Sequence, residues 1–270
     1  MGKVVKYTLL ILICAILLFP VWLMVTNSFT SARAFLKMPP RLVPEHLTLD
    51  NYKRAFTMPY ITRWIFNTLL VMVSVVLAGI LVNGAAGYVF AFAKFKWRNI
   101  IFWAMLAPIF VTRMALLISQ FIVVGKLGLR GMAAVILMSI FWPTGIYLFR
   151  NYFQSISIDF VENARMDGAH EWTILTKIIL PLSKPIIGAA LVFMGMGVLG
   201  DYIWQSLNML EPETQTFIVG LMKSTLDVYV VKNIGYNLAV GTLLFIPYLI
   251  LFAFSSKYFI QGLTAGGVKG

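Results

Sequence analysis

The fold of this chain is decided by its apolar stretches, and the longest, residues 65–91, reads IFNTLLVMVSVVLAGILVNGAAGYVFA. No charged residue interrupts it, and it exceeds the ~20 apolar residues that a helix needs to cross about 30 Å of hydrocarbon. Five further stretches qualify, at 7–27, 100–119, 131–149, 186–206 and 236–258. In lipid, a helix pairs its backbone polar groups within one segment. The sequence therefore predicts an all-α integral membrane fold with six transmembrane helices.

The composition supports the same conclusion. The chain is 60% hydrophobic and 12% charged, whereas about a quarter of the residues in a soluble domain are charged. The net charge is +12, but the basic residues stand singly between apolar runs, so we expect no nucleic-acid partner. Internal prolines predict that several of the six helices are kinked: Pro20, Pro108, Pro143 and Pro247.

The amino-terminal stretch could also be read as a signal peptide, because Lys3 and Lys6 precede it. Its apolar run is longer than a typical signal sequence, so we expect an uncleaved span. We predict two parts in the chain. Residues 1–64 would hold the first transmembrane helix and a polar segment, and residues 65–270 the other five spans with a long polar loop at 150–185.

A short amphipathic helix is predicted within that loop. Ser157 can cap its start, Gly168 can end it in the left-handed conformation, and Glu162 and Arg165 are spaced for an ion pair. Its apolar stripe consists of Phe160, Val161 and Ala164. Such a short helix is marginal alone in water, so it needs a surface to dock on. A soluble partner and the membrane surface are both open as that surface.

The loop resembles the "EAA" loop of permeases in binding-protein-dependent ABC importers. That family pattern is Glu-Ala-Ala, three residues, Gly, nine residues, Ile-x-Leu-Pro. The chain matches it at Glu162, Ala164, Gly168, Ile178, Leu180 and Pro181, and departs from it at Asn163. The resemblance runs from about Asn67 to Gly270. Residues 199–204 and the tail 257–270 are similar to the carbohydrate branch, the maltose-type second permease, although Gly200 and Gln205 depart from it.

The resemblance implies a type I ABC importer permease fold in the cell inner membrane. It makes the polar segment of residues 1–64 extracytoplasmic, residues 65–270 the permease core, and 150–185 a cytoplasmic coupling loop. It implies three partners besides the lipid bilayer: a second homologous permease, an ATP-binding cassette ATPase dimer and an extracytoplasmic solute-binding protein. Residues implied at the ATPase contact are Phe160, Val161, Glu162, Ala164 and Gly168, with Gly262, Thr264 and Gly266 in the tail. Lys and Arg are almost evenly divided between the two sides, so orientation rests mainly on the resemblance.

We expect no catalytic residue, no metal site and no cofactor bound by this chain. No G-x-x-x-x-G-K-[ST] motif occurs, so ATP and Mg²⁺ should bind the partner ATPase subunits. Cys14 is the single cysteine, and His46 and His170 are far apart in the sequence. A membrane-embedded enzyme is the less favoured interpretation because no catalytic constellation is present. A secondary carrier is also less favoured, since inverted repeats and several midplane charges are not evident.

Three residues are candidates for the substrate pathway: Arg113, Asp201 and Trp204. Charges within spans usually face a cavity or a partner. Arg113 could instead extend to the membrane interface, which is the favoured explanation, and Asp201 could bond to a helix end or a neighbouring helix. The hypothesis for Arg113 is that it favours an acidic saccharide, because its guanidinium binds carboxylates with two hydrogen bonds. A non-sugar solute such as glycerol phosphate is the alternative substrate.

Overall fold

A computed structural model describes residues 2–31, 47–226 and 233–265 of the chain, with side chains in the last range as far as Ala253. Within these ranges the only extended pairing is an isolated bridge between Thr30 and Leu47. Four helices are long and apolar enough to cross a membrane: Gly2–Ser28, Ile61–Phe92, Gly131–Phe153 and Ile234–Ala253. Two bent pairs bring the number to six if each is one span, which agrees with the predicted all-α membrane fold.

The described helices run as follows. The first seven are α1 (Gly2–Ser28), α2 (Asp50–Phe56), α3 (Ile61–Phe92), α4 (Arg98–Leu106), α5 (Arg113–Lys126), α6 (Gly131–Ile140) and α7 (Pro143–Phe153). The others are α8 (Asp159–Met166), α9 (Glu171–Ile174), α10 (Leu180–Leu182), α11 (Lys184–Gly200), α12 (Tyr202–Asn208), α13 (Phe217–Thr225) and α14 (Ile234–Ala265). A π turn at Leu175–Ile179 joins α9 to α10, and 3-10 turns lie at Ala107–Phe110 and Pro212–Thr214. The predicted division at residue 64 stays a prediction, although α3 already begins at Ile61.

Helix α3 runs unbroken for 32 residues and packs against α6, α7, α11 and α13. At its carboxyl end the Tyr88 hydroxyl donates to Glu171 of α9. At its amino end the Trp64 indole donates to the Pro212 carbonyl at 2.7 Å. These two contacts define the two ends of the bundle, which we call the α8 end and the opposite end.

One of the six predicted spans is sharply bent, and a second sharp bend lies just before the predicted fifth span. Residues 98–110 and 113–126 meet at 111°, so the predicted helix over 100–119 is not continuous. Pro108 lacks an N–H and lies in the 3-10 turn before the bend, while Thr112 after it is extended. Residues 171–182 and 184–200 meet at 87°. The predicted fifth span over 186–206 ends as a helix at Gly200, and α12 starts after Asp201.

A third break, between α6 and α7, is closed by a side chain of α3. Asn83 is fully buried. Its amide nitrogen donates to the Ile140 carbonyl at 2.8 Å, and its oxygen accepts from the Trp142 backbone N–H at 3.0 Å. Both backbone groups lose helical partners at the break before Pro143. Since unpaired backbone groups in hydrocarbon cost several kcal/mol each, Asn83 stabilises this break.

Helices α3 and α7 also approach very closely at Gly87. A Cβ atom added there would lie 2.6 Å from the Phe149 Cβ and 3.0 Å from the Arg150 backbone nitrogen. Contacts that short are not tolerated, and the nearest atoms belong to the rigid part of α7. Glycine is therefore required here by the spacing of the two helices.

We predict that Asn83→Leu lowers the free energy of unfolding by about 1–3 kcal/mol, because it leaves the two backbone groups at the break unpaired. The measurement is thermal unfolding of the purified protein in detergent. Asn151→Leu is the matched control, since Asn151 is exposed on α7, and its change should stay within about 0.5 kcal/mol. Equal losses in the two variants would contradict the role assigned to Asn83.

Candidate functional site

Helix α8 packs on the bundle through the buried residues of its apolar stripe. Val161 and Ala164 are buried in an apolar cluster that includes Phe149, Phe153 and Ile174. Phe160, predicted as part of the same stripe, lies at its edge and is half exposed. The helix therefore rests on its own chain through two residues, and its opposite face remains uncovered.

The uncovered face of α8 carries Glu162 and Met166, one helical turn apart. Met166 is 79% exposed, so its side chain is available for contact with a partner. Sequence reasoning selected Glu162 but missed Met166. The helical spacing of four residues from Glu162 was the signal that could have identified it.

Hydrogen bonds between residues close in sequence determine where α8 begins and ends. The Ser157 hydroxyl accepts a hydrogen bond from the Asp159 backbone N–H at 3.3 Å, but the residue directly before α8 is Ile158, one position later than the predicted cap, and its side chain makes no capping bond. Gly168 has a φ of +78°, which is the predicted left-handed conformation. Its N–H donates to the Arg165 carbonyl at 3.0 Å, and the Ala169 N–H donates to the Ala164 carbonyl at 2.9 Å. These two bonds form a Schellman motif that satisfies the last carbonyls of the helix.

The ion pair predicted between Glu162 and Arg165 does not form; Arg165 pairs with Glu171 instead. The Arg165 Nε lies 2.7 Å from Glu171 Oε1, and its Nη2 lies 3.1 Å from Oε2. In this contact two guanidinium nitrogens bond to two carboxylate oxygens, which makes it more directional than a single bond between Arg165 and Glu162 would be. The hydrogen bonds that Arg165 donates to the Glu171 carboxylate raise the pKa of Arg165 above its ordinary value. Glu171 Oε2 also accepts the hydroxyl of Tyr88 at 2.5 Å.

A second candidate site lies towards the opposite end, in a cavity of about 470 Å³. Arg113 and Asp201 both line it and form an ion pair with each other. Arg113 is the first residue of α5, directly after the 111° bend. The Asp201 side chain is 8% exposed and also accepts from the Trp204 backbone N–H at 3.4 Å. Asp201 thus combines the two roles considered from sequence, a helix-end bond and a bond to a neighbouring helix.

The rest of the cavity wall is mostly apolar, with three aromatic residues and a few polar groups. Phe141 and Trp142, at the break between α6 and α7, line it together with Phe193 of α11. The polar side chains on the wall are Gln120, Ser139 and Thr144. Sequence reasoning missed these residues. The aromatic pair immediately before Pro143 was the available signal, because proline marks the point at which the helix opens.

The remaining candidate residues lie elsewhere. Trp204 is buried in an apolar cluster beside Val71 and Val75 and does not line the cavity. Gly262 and Thr264 fall in the last turns of α14, where the structure describes the backbone only, and Gly266 lies outside the described residues. Across the described part of the chain, no group of three or more His, Cys, Asp or Glu side chains could hold a metal ion.

Comparison with known proteins agrees with this architecture. Residues 57–264 match the family described as "Binding-protein-dependent transport system inner membrane component". The arabinooligosaccharides transport system permease protein AraQ of Halalkalibacterium halodurans is 32% identical over 263 residues, covering 96% of this chain and 93% of that protein. The galactooligosaccharides transport system permease protein GanQ of Bacillus subtilis is 30% identical, covering 98% and 95%.

A solved structure has the same fold. It is a chain of a bacterial ABC transporter involved in the import of the acidic polysaccharide alginate, with a TM-score of 0.82 at 23% identity and 96% coverage of both chains. The chain described here belongs to the family of inner membrane components of binding-protein-dependent transport systems, and it is the non-enzymatic, membrane-spanning permease subunit of an ATP-driven importer.

Proposed function

We propose that this permease carries a saccharide across the cytoplasmic membrane by alternating access, and that the cavity beside Arg113 lines its pathway. The cavity carries the proposal: about 470 Å³ is within the range of small-molecule sites, and apolar walls with a few polar groups are typical of them. The names of the oligosaccharide permeases similar to this chain support a saccharide.

We infer further that Arg113 favours an acidic saccharide. The Arg113 side chain is 60% exposed although it is paired with Asp201. The pair uses one nitrogen, Nη2, and the other N–H groups make no hydrogen bond within the described ranges. A guanidinium can bind two carboxylates at once because it carries five donors in a fork. Asp201 would then hold Arg113 in place while a substrate carboxylate binds the remaining donors.

The α8 end is proposed to face the cytoplasm and to contact the ATPase dimer through Glu162, Met166 and the Gly168 turn. Lys94, Lys96 and Arg98 in the short loop between α3 and α4 support this orientation, since basic residues favour the cytoplasmic side.

A second, homologous permease would complete the pathway. Helix α5 supports this, because it exposes Met114, Ile118 and Phe121 while its Arg113 reaches the cavity. ATP and Mg²⁺ are assigned to the ATPase subunits.

The proposed ATPase contact is tested by substitutions at two glycines with similar positive φ angles. Gly168 and Gly128 have φ values of +78° and +71°, and a Cβ at either would meet open space. Aspartate at either position costs similar backbone strain, but only Gly168 adjoins α8. We predict that Gly168→Asp lowers substrate-stimulated ATP hydrolysis of the assembled complex by about tenfold, or ~1.4 kcal/mol of coupling.

Gly128→Asp is the control for that measurement and should leave stimulated hydrolysis close to the unaltered value. The two variants are compared at equal amounts of assembled complex. Normal stimulation in Gly168→Asp, or equal losses in both variants, would refute the assignment of the Gly168 turn to the ATPase contact.

The substrate charge is tested by comparing Arg113→Lys and Arg113→Gln. We predict that both variants carry an acidic saccharide about tenfold more slowly than the unaltered complex, since neither side chain can reproduce the fork. A neutral saccharide of equal length should be carried at nearly the unaltered rate by Arg113→Lys. The measurement is uptake into vesicles, with sn-glycerol 3-phosphate as a third substrate.

Three outcomes of this uptake experiment are informative. Equal transport of acidic and neutral saccharides by all three proteins would make Arg113 an interface anchor and contradict the acidic preference. Faster transport of glycerol phosphate than of either saccharide would replace the saccharide proposal. A loss restricted to the acidic saccharide would support both parts of the proposal.

A further inference from the structure

One carboxylate joins three elements at the α8 end. Glu171 begins α9 and accepts hydrogen bonds from Arg165 of α8 at 2.7 and 3.1 Å. It also accepts one from the hydroxyl of Tyr88 of α3, at 2.5 Å. Bonds to a charged acceptor are about twice as strong as neutral ones, and they fix direction as well as distance. Glu171 therefore connects α8 to α3 in a defined geometry.

The other attachment of α8 to α3 is apolar. Val161 and Ala164 contact a cluster that also contains Tyr88 and Phe92 of α3, but apolar contacts are not directional. A cavity of about 530 Å³, lined by Tyr88, Glu162 and Arg165 among others, lies between α8 and the end of α3 and leaves this packing incomplete. The Glu171 hydrogen bonds are therefore the contacts that fix the direction in which a displacement of α8 acts on α3.

Helix α3 can carry such a displacement over a long distance. It is continuous from Ile61 to Phe92, which corresponds to about 48 Å at 1.5 Å per residue. Asn83, five residues before Tyr88, bonds to the α6–α7 break that supplies Phe141 and Trp142 to the substrate cavity. The same helix therefore contacts both the coupling end and the cavity wall.

We propose that Glu171 is a positioning residue that ties α8 to α3 through Arg165 and Tyr88, so that movement of the coupling helix acts directly on the helix bordering the substrate cavity. The inference rests on the proposed function of α8 as the ATPase contact. It adds a second route to the covalent one that leads from α8 through α9 and α10 to α11. Loss of this link should uncouple ATP hydrolysis from transport rather than stop either.

The test uses Tyr88→Phe in the fully assembled complex, reconstituted in vesicles with its solute-binding protein. This change removes one hydroxyl and leaves the ring and the Arg165–Glu171 pair in place. The readout is the number of ATP molecules hydrolysed per solute carried. Tyr152→Phe is the control, because Tyr152 packs against the same apolar cluster and its hydroxyl makes no hydrogen bond within the described residues.

We expect Tyr88→Phe to raise the ATP-to-solute ratio about threefold while stimulated ATP hydrolysis persists, and Tyr152→Phe to leave the ratio unchanged; threefold corresponds to ~0.65 kcal/mol, within the range for one hydrogen bond in a membrane protein. Glu171→Gln should also raise the ratio. In the double variant Tyr88→Phe/Glu171→Gln the two effects should not add, since both act on one connection.

A ratio equal to that of the control would overturn the inference, as would a proportional fall in both rates, which is the mark of a merely structural role. Thermal unfolding of each complex separates loss of assembly from uncoupling. If Tyr88→Phe fails to assemble, Glu171→Gln with an unchanged ratio overturns the inference in the same way. Failure of the proposed function would be visible earlier, as no ATP-dependent saccharide uptake by the unaltered complex.

Discussion

The structure depends on one constraint: a backbone group inside the membrane must find a partner within the protein. Three spans of this chain are broken, and each break exposes such groups. Polar side chains of the unbroken helix α3 satisfy such groups at one break and in the segment between α12 and α13. Asn83 serves the α6–α7 break, whereas Thr68 accepts from the Phe217 backbone N–H at 2.8 Å and Asn67 donates to the carbonyls of Glu213 and Gln215 at 2.9 Å. The cavities can form between broken helices because α3 remains intact.

Electrostatics reinforces this arrangement at the bend before α5. Arg113 occupies the first position of that helix, where the macrodipole is positive and a cation is disfavoured. Asp201 offsets this cost by pairing with Arg113. A buried carboxylate with no partner would itself be expensive. Each residue therefore lowers the free-energy cost of placing the other in the membrane. The cavity between their helices then holds a charge pair with a small net charge.

Features with local causes could be predicted from the sequence. The long apolar runs identified the spans, and Gly168 ended α8 in the left-handed conformation because glycine is the residue that adopts it most easily. The choice of distant partners was not predictable. Arg113 pairs with Asp201, 88 positions away in the sequence, and Asn83 bonds to the Ile140 carbonyl, 57 positions away. Those outcomes depend on which helices become neighbours, and a single sequence does not encode that in any local pattern.

The close approach at Gly87 bears on how the transport cycle can proceed. Because the backbones of α3 and α7 touch there, the two helices have no room to slide past each other, and side chains cannot repack between them. They should behave as one rigid body throughout the cycle. The hinges must then lie at the bends around α5 and α11, which join this body to the rest of the bundle. Steric contact at Gly87 therefore excludes a shear motion between α3 and α7.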